Sequence, residues 1–113
     1  MEKSQEATLL RLFVGEQDRD GHQPLYETIV LKAREHGLSG ATVLRGVAGY
    51  GRTSTLHTAK ILRLSEDLPM VVELVDTKDR IESFLSVLEE MMYTGMYTVE
   101  TVRMRRYGVP AEG

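Results

Sequence analysis

Two stretches, TLLRLFV at residues 8–14 and PMVVELVD at residues 69–76, are apolar on both faces of an extended chain. Leu10, Leu12 and Val14 alternate with Leu9 and Phe13, Val72 and Leu74 alternate with Val71 and Val75, and Leu44 alternates with Val43 and Val47. Successive strand residues point to opposite faces, so each of these segments needs cover on both sides. A sheet packed by helices on one side only would leave an apolar face open. That face needs a second covering, and another copy of the chain is the simplest one.

The rest of the chain supplies helices for one face only. After the first strand, which ends near Gly15, GEQDRDGHQ is polar and reads as a loop. Pro24 suits a first helical turn, Leu25, Ile29 and Ala33 recur every four residues, and Gly37 is placed to end that helix in a left-handed conformation. Residues 41–47 read as a second strand, and AGYGRTSTLHTAK after it reads as a mobile loop. KILRL and PMVVELVD then form the return arm of a long hairpin, with Pro69 marking an edge strand or a strand start. Asp76 is positioned to cap a second helix, whose apolar stripe is Ile81, Phe84, Leu85, Leu88, Met91 and Met92. Gly95 ends it, and residues 97–107 alternate as a last strand before a frayed tail.

The order strand, helix, strand, strand, helix, strand predicts an α+β, ferredoxin-like βαββαβ fold: a four-stranded antiparallel sheet with two helices on one face. With 113 residues, one domain is expected, its structured core over residues 8–107. Fourteen basic against seventeen acidic residues give a formal charge of −3, which argues against DNA or RNA as a partner. The absence of cysteine excludes disulfides and thiol chemistry. No segment reads as a signal peptide or membrane span, so a cytoplasmic protein is expected.

GATVLRGVAGYG, DLPMVVELVD and the helix end MMYTGMYTVETVRM together resemble the PII-like family of uncharacterised proteins, domain of unknown function 190, related by fold to the nitrogen regulatory PII proteins. The resemblance implies a homotrimer, a mobile loop between the second and third strands, and an adenine nucleotide (ATP, ADP or AMP) in clefts between subunits. It implies no required cofactor and no catalytic reaction. Transferred by position, the nucleotide would meet Gly46, Gly49 and Gly51 at the loop base, Thr94 and Gly95 after the second helix, and Arg103 and Arg105 on the last strand. The turn YTGMYT departs from the PII pattern in lacking a basic residue, and Tyr50 does not match the modified tyrosine of the PII loop.

Residue chemistry leaves two readings for most of these positions. Arg103 and Arg105, two apart on a strand, would leave one face about 6.7 Å apart and could grip adjacent phosphates. Alternatively they are a solvated edge balanced by Glu100 and the acidic helices. Arg45, Arg52 and Lys60 flank the loop; Arg45 either contacts an anion or pairs with a carboxylate across a subunit boundary. The glycines either admit a ligand to backbone N–H groups or mark bulges and tight packing. His22, His36 and His57 lack metal-ligand spacing, and only His57, in the loop, stands where a ligand could approach. Ser54, Thr53 and Thr55 have no activating base at a recognisable spacing, so no catalytic residue is assigned.

The expected function is regulatory: nucleotide binding orders the loop at about residues 49–58 and alters its fit to a regulated protein, for which a membrane transporter is one class. The rival expectations are a metal-responsive trimer of the CutA type and an adaptor indifferent to nucleotide.

Overall fold

In the computed structural model, residues 4–49, 68–91 and 95–108 are described. The main sheet is built on β1 (Gln5–Gly15), which pairs antiparallel with β5 (Pro69–Asp76) on one side and β6 (Met96–Met104) on the other. A short β4 (Thr42–Arg45) pairs antiparallel with β5, giving the order β4-β5-β1-β6. Helices α1 (Leu25–Glu35) and α2 (Lys78–Met91) complete the predicted α+β arrangement. Among the described residues no helix is long and apolar enough to cross a membrane.

Register assigns the two faces. Leu10 lies opposite Leu74 and Leu12 opposite Val72, and all four are buried with Leu25, Ile29, Ala33, Ile81 and Phe84 in one core. Each of the leucine, isoleucine, valine and phenylalanine side chains contributes about 1.5–3 kcal/mol on burial. The alternate residues form the other face, where Leu44, Val71, Phe13 and Met96 lie in one row across all four strands. No described element covers this row, and Leu44 and Met96 are 48% and 59% exposed. On the helix side of the edge strand β6, Val99, opposite the buried Leu10, is 52% exposed.

Several local expectations change. GEQDRDGHQ and the Pro24 that follows it form a small hairpin, β2 (Arg19–Asp20) with β3 (Gln23–Pro24), turned at Gly21 with φ of 66°. β4 is shorter than residues 41–47, although Gly46 N–H still donates to the Pro69 carbonyl at 2.8 Å. β5 is an internal strand, so Pro69 marks its start and not an edge. β6 ends at Met104 instead of Tyr107. Met92 and the KILRL strand lie outside the described residues.

Both helix ends are defined by specific bonds. At the end of α1, Gly37 adopts φ of 79°, its N–H donates to Arg34 O at 3.1 Å, and Leu38 N–H reaches back to Ala33 O at 3.1 Å. These are the two hydrogen bonds of a Schellman motif. At the start of α2 the cap is Thr77, not Asp76: Arg80 N–H donates to Thr77 Oγ1 at 3.3 Å. Asp76 is still paired in the sheet opposite Thr8, and its carboxylate performs another task. It accepts Ser39 N–H and hydroxyl at 2.9 and 3.0 Å and Thr77 N–H at 2.7 Å, joining the turn after α1 to the entry of α2. Burial pushes the Asp76 carboxyl up, but the Thr77 and Ser39 hydrogen bonds and the Arg80 charge outweigh it and leave it below the ordinary carboxylate range.

Candidate functional site

The candidate residues divide among three places on the sheet. The first lies at the end of β4, where Gly46 and Gly49 close around Pro69. A Cβ on Gly46 would stand 2.8 Å from Pro69 Cγ, and one on Gly49 would stand 3.2 Å from the same atom. Gly49 also has φ of 144°, a conformation that side chains disfavour. Packing against the proline ring is therefore one reason for these two glycines. Arg45 stands beside them: its Nη2 donates to Glu16 Oε1 at 3.3 Å, and its Nε lies 3.1 Å from Glu16 Oε2 in the same ion pair. Its carboxylate partner belongs to the same chain.

The second place is the start of β6, where Gly95 approaches the Phe13 carbonyl oxygen; a Cβ there would lie 3.6 Å from it. This is the same end of the sheet as Gly46 but the opposite edge. The third is the far end of β6. Arg103 lies opposite Glu6 and donates from Nη1 to Ser4 Oγ at 3.4 Å, and Arg105 follows one residue beyond the end of the strand. From Glu6 to Gly15, β1 runs about 30 Å at about 3.4 Å per residue, and β4 and β6 are about 14 Å apart across the sheet. Within one chain Arg103 and Arg105 do not meet the glycines after β4. Gly51, Arg52 and Thr94, with His57, Lys60 and most of the 49–58 loop, lie outside the described residues.

The open face carries a charged cluster that sequence reasoning missed. Arg11 Nε donates to Glu73 Oε2 at 2.8 Å and Arg11 Nη1 to Glu100 Oε1 at 3.3 Å, linking β5, β1 and β6 across the row next to the apolar one. The hydrogen bond to Glu73 dominates and, against some desolvation, raises the guanidinium above its ordinary range. Glu100 thus pairs with Arg11 and not with the β6 arginines. The signal was available: Arg11 and Glu73 are lone charges, at matching phase, on the outer faces of two apolar strands.

A groove of about 230 Å³ lies between α1, the end of α2 and the start of β6, lined largely by Leu25, Ile29, Leu88 and Met91. Its polar groups, Glu89 and Tyr97, face each other at 3.4 Å, so it presents no set of anion-binding donors. His36 is occupied locally, with Nδ1 2.9 Å from Lys32 O. Among the described residues no three metal-ligating side chains cluster.

Residues 7–104 match the model of the DUF190 family, described as Uncharacterized ACR. A UPF0166 protein of Aquifex aeolicus (strain VF5) is 38% identical over 96 residues, covering 85% of this chain and 90% of that protein. Among solved structures, CPII from Thiomonas intermedia K12, bound to ADP and bicarbonate, superposes with a TM-score of 0.66 at 14% identity, covering 92% of this chain and 93% of that one. The apo form of CPII, a nitrogen regulatory PII-like protein, gives a TM-score of 0.62 at 12% identity, covering 94% and 99%. At these identities the likeness is one of fold.

Proposed function

The chain belongs to the DUF190 family, and from that premise we propose that it is a PII-like, non-catalytic regulatory protein that binds an adenine nucleotide in clefts between copies of itself. The observation that carries the reading is the division of the candidate site. Arg45, Gly46 and Gly49 lie at one edge and end of the sheet, and Arg103 and Arg105 lie at the opposite edge and end. A ligand touching both groups must lie where one copy's β4 end meets another copy's β6.

The open sheet face supports the same assembly. Its apolar row would be buried between copies, and a closed trimer covers all such faces equally. The fold shared with CPII, whose bound ligand is ADP in one of its structures, makes adenine nucleotides the first ligands to test. Arginines suit this role because the planar guanidinium gives paired hydrogen bonds to phosphate oxygens. Nucleotide binding would then bias the segment at about residues 49–58 between two states that fit a regulated protein differently. A membrane transporter is one class for that protein.

Calorimetric titration of the wild type and an Arg103→Ala, Arg105→Ala variant with ATP, ADP, AMP and cyclic AMP tests the reading. Binding of one nucleotide that the variant loses supports it. No binding by a folded, assembled wild type rejects it.

A further inference from the structure

The two described arginines that hydrogen-bond at the candidate site differ in what they hold. Arg103 meets a neutral hydroxyl, Ser4 Oγ, at 3.4 Å. Arg45 meets a carboxylate, that of Glu16, with Nη2 donating to Oε1 at 3.3 Å and Nε 3.1 Å from Oε2 in the ion pair. Glu16 is not a loosely placed partner. It sits in the tight turn after β1, where Asp18 N–H donates to Gly15 O at 3.2 Å and Gly15 N–H donates to Asp18 Oδ2 at 2.9 Å. Glu16 N–H itself donates to Leu68 O at 2.8 Å, and Leu25 N–H holds Asp18 O at 2.8 Å. The backbone beneath the carboxylate is thus tied to the start of β5 and the start of α1.

The pair uses one edge of the guanidinium. Nη1 is not engaged by Glu16, so an anion can still approach the end of Arg45. It would do so beside a fixed negative charge, because the Glu16 side chain is only 23% exposed while that of Arg45 is 44% exposed. Each further negative charge on the ligand gains from Arg45 and loses to Glu16.

Resting on the nucleotide reading above, we infer that Glu16 is a specificity-determining residue: by holding Arg45 half-neutralised, it turns the site toward ligands with few phosphate charges. Its role is one of positioning and charge balance, exerted through Arg45. Removing the charge while keeping the shape, as in Glu16→Gln, leaves Arg45 a hydrogen-bonding partner and frees its charge for the ligand.

The test is calorimetric titration with ATP, ADP and AMP of the wild type, Glu16→Gln, Glu16→Ala and the double variant Glu16→Gln, Arg45→Ala. Expected are about five- to tenfold tighter ATP binding by Glu16→Gln, a smaller gain for ADP and less than about twofold for AMP, with the gains shrinking as salt is raised. Glu16→Ala keeps the order ATP, ADP, AMP, and the double variant loses the gain. Wild type that binds nucleotide while both Glu16 variants bind all three unchanged, or shift all three equally, overturns the inference and leaves the nucleotide reading standing. No binding of any nucleotide by wild type or variants overturns both.

Discussion

The two faces of the central sheet are written in nearly the same alphabet and meet different fates. On the helix side, Leu10, Leu12, Val72 and Leu74 are at most 7% exposed, covered by side chains from α1 and α2. On the other side, Leu44, Val71, Phe13 and Met96 form an equally apolar row with no described element over it, and the Arg11–Glu73–Glu100 cluster interrupts the pattern beside it. One face finds its partner in the same chain. The other would find its partner in another copy, and the same assembly would join the separated halves of the candidate site. A charged cluster among the described residues of such a face would favour one register of pairing over others.

If the two faces differ in this way, substitutions on them should separate folding from association. The largest effect on folding is expected for Phe84→Ala, a 1% exposed ring of α2 in the core between helices and sheet, which should lower unfolding free energy by about 3–5 kcal/mol in denaturant titrations. Phe13→Glu, on the open row, should leave the subunit fold intact by circular dichroism. Sedimentation should show association weakened by about a hundredfold or more, because the new carboxylate would be buried without a partner. If Phe13→Glu instead unfolds the subunit without prior dissociation, the faces are not distinct in the way described.

Two smaller effects sharpen the picture of the covered side. Asp76→Asn should cost about 1–3 kcal/mol near neutral pH through its hydrogen bonds to Ser39 and Thr77. Because the folded-state value is depressed, the wild-type advantage is full above the ordinary carboxylate value of about 3.9 and declines as pH falls through the lower folded value. Unfolding curves across acidic pH should therefore show the two proteins converging; an advantage that grows with acid would contradict the assigned bonds. Gly46→Ala should cost about 1–2 kcal/mol, as its methyl would press on Pro69, and pairing it with a smaller residue at Pro69 should restore most of the loss.

The parts of this fold legible from sequence were those set by local period. The double-sided apolar strands, the α2 stripe and the Gly37 terminus all follow from spacing that a helix or strand imposes on its own residues. What was not legible depended on partners far along the chain. Asp76 and Thr77 are both good capping residues, and only pairing of Asp76 with Thr8 keeps Asp76 in the strand and hands the cap to Thr77. The glycines after β4 were visible, but Pro69 as the ring they enclose was not. Likewise, the two-residue spacing of Arg103 and Arg105 could be read directly. That they stand diagonally across the sheet from Gly46 follows from the strand order β4-β5-β1-β6, which no local pattern encodes. Glu16, two strands away from Arg45 in that order, was hidden for the same reason.

The measurement that most directly tests the account is titration of ADP into the assembled wild type and into Phe13→Glu, whose substitution is on the open face and touches neither Arg45, Arg103 nor Arg105. The account predicts that ADP binds the assembled protein and that binding falls with dissociation, recovering as protein concentration drives the copies back together. ADP binding of equal strength to a folded, monomeric Phe13→Glu would contradict a site completed between copies.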